Sequence, residues 1–197
     1  MKRADRWVGK AWAAWALLGV ASLGCNGTSA GTRFGELLGR ALAPENGEAV
    51  ALANETVVLL TYDEDGNIVT AEVGTTDENG DFRVDVEAQA VVALVVSGMT
   101  DDGDAEISGL YNPEAGVVLD KVLDQATSIA CVAGLTAIGE DSITQAELDQ
   151  ERVDNLEAAA EAYIEANPDF DFYDAGDRET AVDAVRTSTD DGANPPA

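Results

Sequence analysis

The sequence predicts a mainly β fold, a β-sandwich over residues 33–123, followed by a helical segment over residues 124–187. Three observations carry this prediction. Between residues 34 and 123, short apolar runs alternate with clusters of Asp, Asn, Gly and Pro at regular spacing, which is the rhythm of strands and turns. Residues 81–86 (DFRVDV) alternate polar and apolar, the period of a strand with one wet face. Beyond Leu123 that alternation stops, and capping residues precede apolar positions spaced mostly three to five apart.

Taken in order, residues 34–42 are the first strand, closed by Pro44-Glu45-Asn46-Gly47. Residues 56–62 (TVVLLTY) are β-branched and apolar, as strands prefer. The turn Asp63-Glu64-Asp65-Gly66-Asn67 leads to a strand over 68–75, since Gly and Asn tolerate the positive φ of a hairpin. Asp77-Glu78-Asn79-Gly80 reads as a second hairpin turn before the strand at 81–86. Residues 90–96 (AVVALVV) are continuously apolar, as a central strand buried on both faces would be. Asp101-Asp102-Gly103-Asp104 is the next loop. Residues 105–111 and 117–123 flank Asn112-Pro113-Glu114-Ala115-Gly116 and read as another hairpin.

Asp124 is placed to cap a helix that stops at Gly139, with Ile129, Val132, Ala133 and Thr136 facing inward. Thr144-Gln145-Ala146-Glu147 is a capping box, and predicts a helix from there to Asn167-Pro168. Its apolar positions are Leu148, Val153, Leu156, Ala160, Tyr163 and Ile164. Asp177 is the expected cap of a last short helix bearing Ala181, Val182 and Val185. Residues 188–197 are polar with a double proline and read as a disordered tail.

The N-terminus reads as an export signal. Lys2, Arg3, Arg6 and Lys10 form a positive region, and an apolar run follows from residue 11 to 23. That run is shorter than the ~20 residues a membrane-spanning helix needs. It ends in Ser22-Leu23-Gly24-Cys25, which resembles the lipobox of bacterial lipoproteins. The resemblance implies a signal peptide at residues 1–24, cleavage between Gly24 and Cys25, and acylation of Cys25. It also implies a tether at residues 25–32. Asn26, where an Asp would retain the protein in the inner membrane, favours the outer membrane of the cell envelope. A plain secretory signal and a short membrane anchor are the alternatives.

Composition narrows function further. There are 38 acidic and 11 basic residues and no histidine, for a formal charge of −27. Without histidine there is no Ser-His or Cys-His pair. Nucleic-acid binding lacks its cationic footprint. No phosphate loop, nucleophile elbow or dinucleotide fingerprint is present, and the chain is expected not to be an enzyme. Cys131 sits among Ile129, Ala130, Val132 and Ala133 and reads as a small buried hydrophobe. A Cys25–Cys131 disulfide requires that acylation fail.

Residues 34–98 carry a second resemblance. Leu38-Gly39-Arg40 ends a first strand, Glu55-Thr56-Val57-Val58-Leu59 opens another, and Thr76-Asp77-Glu78-Asn79-Gly80-Asp81-Phe82 joins two more. This order resembles the carboxypeptidase regulatory-like domains, also called transthyretin-like or prealbumin-like, and more loosely the Cna B-type domains. The resemblance implies a seven-stranded Greek-key sandwich in which the Phe enters the core, and a module that is usually non-catalytic.

Acidic turns are the candidate sites. Asp63, Asp65 and Asn67 have the alternate spacing of calcium ligands, and Asp77, Asn79 and Asp81 repeat it. Asp101, Asp102 and Asp104 make a third cluster. Calcium takes roughly six to eight oxygens, so two loops would have to share one ion. The alternative is that Asp, Asn and Gly are what turns use. The aromatics Tyr62, Tyr111, Tyr163, Phe170, Phe172 and Tyr173 are a candidate ligand platform, or else pack the loop between the last helices onto the sandwich. The expected role is a lipid-anchored envelope module, structural or protein-binding, with a calcium- or small-ligand-binding module as the alternative.

Overall fold

The computed structural model describes residues 34–62, 68–87, 91–113, 117–140 and 142–190. The expected signal segment, Cys25, the expected tether and the turn holding Asp63, Asp65 and Asn67 lie outside the described residues.

Among the described residues, eight strands form two sheets: β1 (Phe34–Glu45), β2 (Glu48–Ala51), β3 (Thr56–Tyr62), β4 (Ile68–Thr75), β5 (Asp81–Glu87), β6 (Val92–Thr100), β7 (Gly103–Tyr111) and β8 (Val118–Leu123). Three helices follow among these residues: α1 (Gln125–Gly139), α2 (Gln150–Ala166) and α3 (Ala175–Asp190). The molecule is a β-sandwich-like pair of sheets with the helices at the C-terminal end of the described chain.

The first sheet is centred on β1. Residues 36–40 of β1 pair with β5 antiparallel and with β8 parallel, so these two strands flank it. Strand β2 was not foreseen. It forms a hairpin with the end of β1, Glu45 opposite Glu48, closed by Asn46 and Gly47, both at positive φ. The outward face of this sheet is wet and ion-paired. Arg40 Nε lies 2.6 Å from Asp81 Oδ1, and Arg83 Nε lies 2.5 Å from Glu36 Oε1.

The second sheet runs β4-β3-β6-β7, all antiparallel. Two expected hairpins are instead crossovers between the sheets. The Asp77–Gly80 turn joins β4 of one sheet to β5 of the other. Strand β8 leaves β7 to pair with β1. The reason is burial: Leu123 on β8 is fully buried, and its side chain packs over Gly109 of β7 across the gap between the sheets.

The continuous apolar run behaves as expected of a doubly buried strand. Val92, Leu94 and Val96 face the first sheet and join its core with Leu37, Phe82, Val84, Ile107 and Leu123. Ala93 and Val95 face the other way and are also buried. Their pairing partners Leu110 and Ser108 meet α1: a Cβ on Gly134 would come within 2.8 Å of Leu110 Cδ1, and the Ser108 N–H donates to Ser128 Oγ at 2.9 Å. The helices thus form a third layer packed on β7.

Helix α1 starts at the expected cap. The Asp124 carboxylate accepts from the amides of Ala126 and Thr127. The helix is buried on several sides, from Ala126 to Cys131 and at Ala133, Gly134 and Ala137, because it lies between a sheet and two helices. The Thr144–Glu147 box forms but opens only a 3₁₀ turn, Gln145–Glu147. Asp149 then caps α2 through the Arg152 amide. The last helix is capped by Asp174, not Asp177: Asp174 accepts from Gly176 and Asp177, while the Asp177 carboxylate accepts from the Asp171 amide. It carries the buried Ala181, Val182 and Val185 as expected. It runs on to Asp190, so residues 188–190 are helix rather than tail.

Candidate functional site

The Thr76–Phe82 turn is built as its residue types dictate. Thr76 is buried, and its hydroxyl donates to Leu52 O at 2.6 Å and accepts from the Glu55 amide at 2.9 Å. The Asp77 carboxylate accepts from the amides of Asn79 and Asp81 at 2.8 and 3.0 Å. Gly80 sits at φ +78, where a Cβ would also come within 2.8 Å of Ala41 O. Phe82 then turns into the core and lies over Gly39, its cross-strand partner, where a Cβ would meet the ring at 2.5 Å.

Of the proposed calcium ligands, Asp77, Asn79 and Asp81 are therefore described and Asp63, Asp65 and Asn67 are not. Asp77 is committed to two backbone amides. Asp81 is committed to Arg40, whose guanidinium holds its carboxyl below the ordinary range. The third acidic cluster also has protein partners. Asp102 Oδ2 accepts from the Asn46 amide at 2.6 Å, and the Asp101 amide donates to Glu45 Oε2 at 2.7 Å. These bonds lock the β1–β2 and β6–β7 hairpin tips together. Among the described residues no three His, Cys, Asp or Glu side chains converge as a metal site.

The aromatic run joins the same pole. Phe172 is buried in the sandwich core, with Phe170 and Tyr173 packed against it. The Tyr173 hydroxyl donates to Pro44 O at 2.5 Å and lies 2.8 Å from Thr100 Oγ1. The loop between α2 and α3 is thus pinned to both hairpins, and its aromatics pack rather than form an open platform. Cys131 is a fully buried free cysteine, and burial pushes its thiol up to about 12, so it stays neutral at pH 7.

Sequence reasoning missed one polar seam. Lys121 on β8 reaches Glu157 on α2, Nζ to Oε1 at 2.5 Å, and also donates to Leu110 O at 2.9 Å. The two side chains are only 16% and 18% exposed. The ammonium also sits 5.3 Å from the centre of the Tyr111 ring. Burial lifts the Glu157 carboxyl above the usual range, while Lys121 pulls it back. Burial likewise raises Glu106, against the pull of Arg178. The signal in the sequence was that Lys121 is the only lysine beyond residue 10, on the inward parity of β8 with Leu119 and Leu123. Together with Ser128, Lys121 closes the outer edge of β7: Ser128 takes the Ser108 N–H and Lys121 takes the Leu110 carbonyl.

No family model matches this chain, and no curated protein matches it. Among solved structures, it is similar to a 9R-lipoxygenase from Cyanothece, with 14% identity and a TM-score of 0.29 over 52% of this chain. The chain spans 18% of that enzyme's length. It is also similar to a Pseudomonas aeruginosa protein provisionally described as carbohydrate binding, with 17% identity and a TM-score of 0.33. That match covers 47% of this chain and 89% of the other. Likenesses of this size assign neither a fold family nor an activity.

Proposed function

We propose that the protein is a lipid-anchored module of the bacterial cell envelope, non-catalytic, acting as a structural or protein-interaction unit. The observation that supports it is the layout of the chain. A positive region and a short apolar run end at Gly24-Cys25, and the first strand begins at Phe34. Eight residues separate lipid from fold. Fully extended, a tether of that length reaches at most roughly 30 Å, which would hold the domain at the membrane surface. Among the described residues no helix is long and apolar enough to cross a membrane.

The sandwich is read as transthyretin-like and Greek-key. The Thr76–Phe82 turn favours this, with its Asp clamp, its left-handed Gly and its buried Phe.

Two experiments test the proposal. Fatty-acid labelling and detergent-phase partitioning should disappear in Cys25→Ser, and labelling that persists would defeat the anchor. Crosslinking of C-terminally tagged protein in intact cells should yield a stoichiometric envelope partner that is lost in Cys25→Ser. An absence of partners in both forms would defeat the interaction reading.

A further inference from the structure

The outer edges of the two sheets are guarded unequally. The edge of β7 is closed by Ser128 and Lys121. Strand β5 lines its outward face with Asp81, Arg83 and Asp85, β8 carries Asp120 and Lys121, and β2 is four residues long. Charge and brevity are the usual protections of an edge. Strand β4 has little of either: Glu72 is its one charged residue. It is eight residues long (IVTAEVGT), contains no Lys, Arg or Pro, and among the described residues pairs on one side only, with β3.

Strand β4 also overhangs both layers. By register, Val69 and Ala71 share a face with Thr61 and Leu59, and Ile68 and Thr70 share the other with Tyr62 and Leu60. Ile68 is 47% and Val69 42% exposed, and Thr70 and Ala71 are exposed as well. A bulge opposite Val57 and Val58 bends only the C-terminal half. The straight half therefore offers an unpaired backbone edge with an apolar side chain on each face.

We propose that this edge takes an extended segment of a partner protein as a fifth strand of the second sheet. Main-chain pairing would supply affinity, and the side chains would supply specificity. The inference narrows the interaction reading above to one edge, and does not depend on the lipid. Since Ile68 and Val69 put one apolar side chain on each face of the straight half, the core of the segment must carry β-branched or apolar residues at consecutive positions. Glu72, Asp77 and Glu78 are exposed beside the edge, and the whole chain is formally −27, so the flanks of the segment must be Lys or Arg. The same charge disfavours a second copy of this chain as the occupant.

The test is fluorescence anisotropy with full-length protein in detergent and a labelled peptide, Lys-Arg-Val-Thr-Ile-Val-Thr-Arg-Lys. The expected result is saturable binding that weakens at least about tenfold when the flanks are Glu, and that weakens with salt. Methylating alternate peptide nitrogens should abolish it, a readout that leaves the protein untouched. Ala71→Lys should lower affinity about tenfold or more while the melting temperature stays within a few degrees. Equal binding of the Glu-flanked or methylated peptide would overturn the proposal. So would binding that survives Ala71→Lys. Dimerisation in sedimentation velocity that Ala71→Lys abolishes would give the edge to a second copy and also overturn it. Each of these results is independent of the fatty-acid labelling that tests the anchor.

Discussion

Strands β6 and β4 lie in one sheet with only β3 between them, and they live in opposite environments. From Val92 to Val96 every residue of β6 is buried, on the face toward the first sheet and on the opposite face alike. From Ile68 to Glu72 every residue of β4 is exposed. Both strands are rich in β-branched and apolar residues. Position in the sheet, more than local composition, thus decides which strand holds the molecule together and which is available to others.

The largest test of that contrast is deletion at the two strands. Leu94→Ala should cost about 2–5 kcal/mol in urea unfolding, since its fully buried side chain leaves a cavity between two layers. The matching change on β4, Val69→Ala, should have the smallest effect of all.

Next comes the closed edge. Lys121→Ala leaves Glu157 without its ammonium and Leu110 O without its donor. It should cost about 1–3 kcal/mol, below the full value for a sealed pair because about a sixth of each side chain still meets water. The double variant Lys121→Met/Glu157→Leu should recover most of that loss, and a double-mutant cycle would measure the coupling. If the double variant is no better than Lys121→Ala, the seam is not held by the ion pair.

The crossover turn ranks beside it. Gly80→Ala imposes positive φ on a residue with a Cβ and drives that Cβ against Ala41 O, for about 1–3 kcal/mol. Asp77→Ala strands two amides and should cost about 1–2 kcal/mol.

Acid should sharpen the contrast from another side. Glu157 and Glu106 have carboxyls raised by burial, so the folded state binds their protons more tightly than the unfolded chain does. Stability therefore rises as pH falls from above their folded values towards the ordinary carboxylate range. Asp81 and Glu147 are lowered by their partners, so what they contribute is present above the ordinary range and fades as pH falls through their folded values. The melting temperature should thus peak on the acid side of neutrality, and Glu157→Gln should flatten the rise. A rise that Glu157→Gln leaves unchanged would remove the seam from the explanation. Finally, Val69→Ala should change stability by no more than about 0.5 kcal/mol.

Local signals made much of this legible. The β6 run announced burial on both faces, Asp124 announced the cap of α1, and the Thr76–Phe82 turn announced its clamp, its left-handed Gly and its inward Phe. Where two local signals competed, the sequence misled. Thr144 and Asp149 both cap, but the Thr144 box opens only a 3₁₀ turn and Asp149 opens the longer helix. Asp174 and Asp177 compete in the same way, and Asp177 is diverted to the Asp171 amide. Strand β2 was missed because EAVA is too short and mixed to show a period, although Asn46-Gly47 signalled its hairpin. The candidate calcium ligands looked alike in sequence, and only the folded chain shows Asp77 and Asp81 already engaged.

The sequence by itself determined the alternation of strands and turns, the change to helices after Leu123, the acidic character and the lipobox-like start, because each rests on residues within a few positions of one another. Only the tertiary structure decided that β8 runs parallel beside β1, that Lys121 meets Glu157, that three loops lock at one pole and that β4, among the described residues, pairs on one side only. Those outcomes join residues far apart in the chain. They are set by which faces can be buried together and by which edges are covered when they are, and neither is written in any short stretch of sequence.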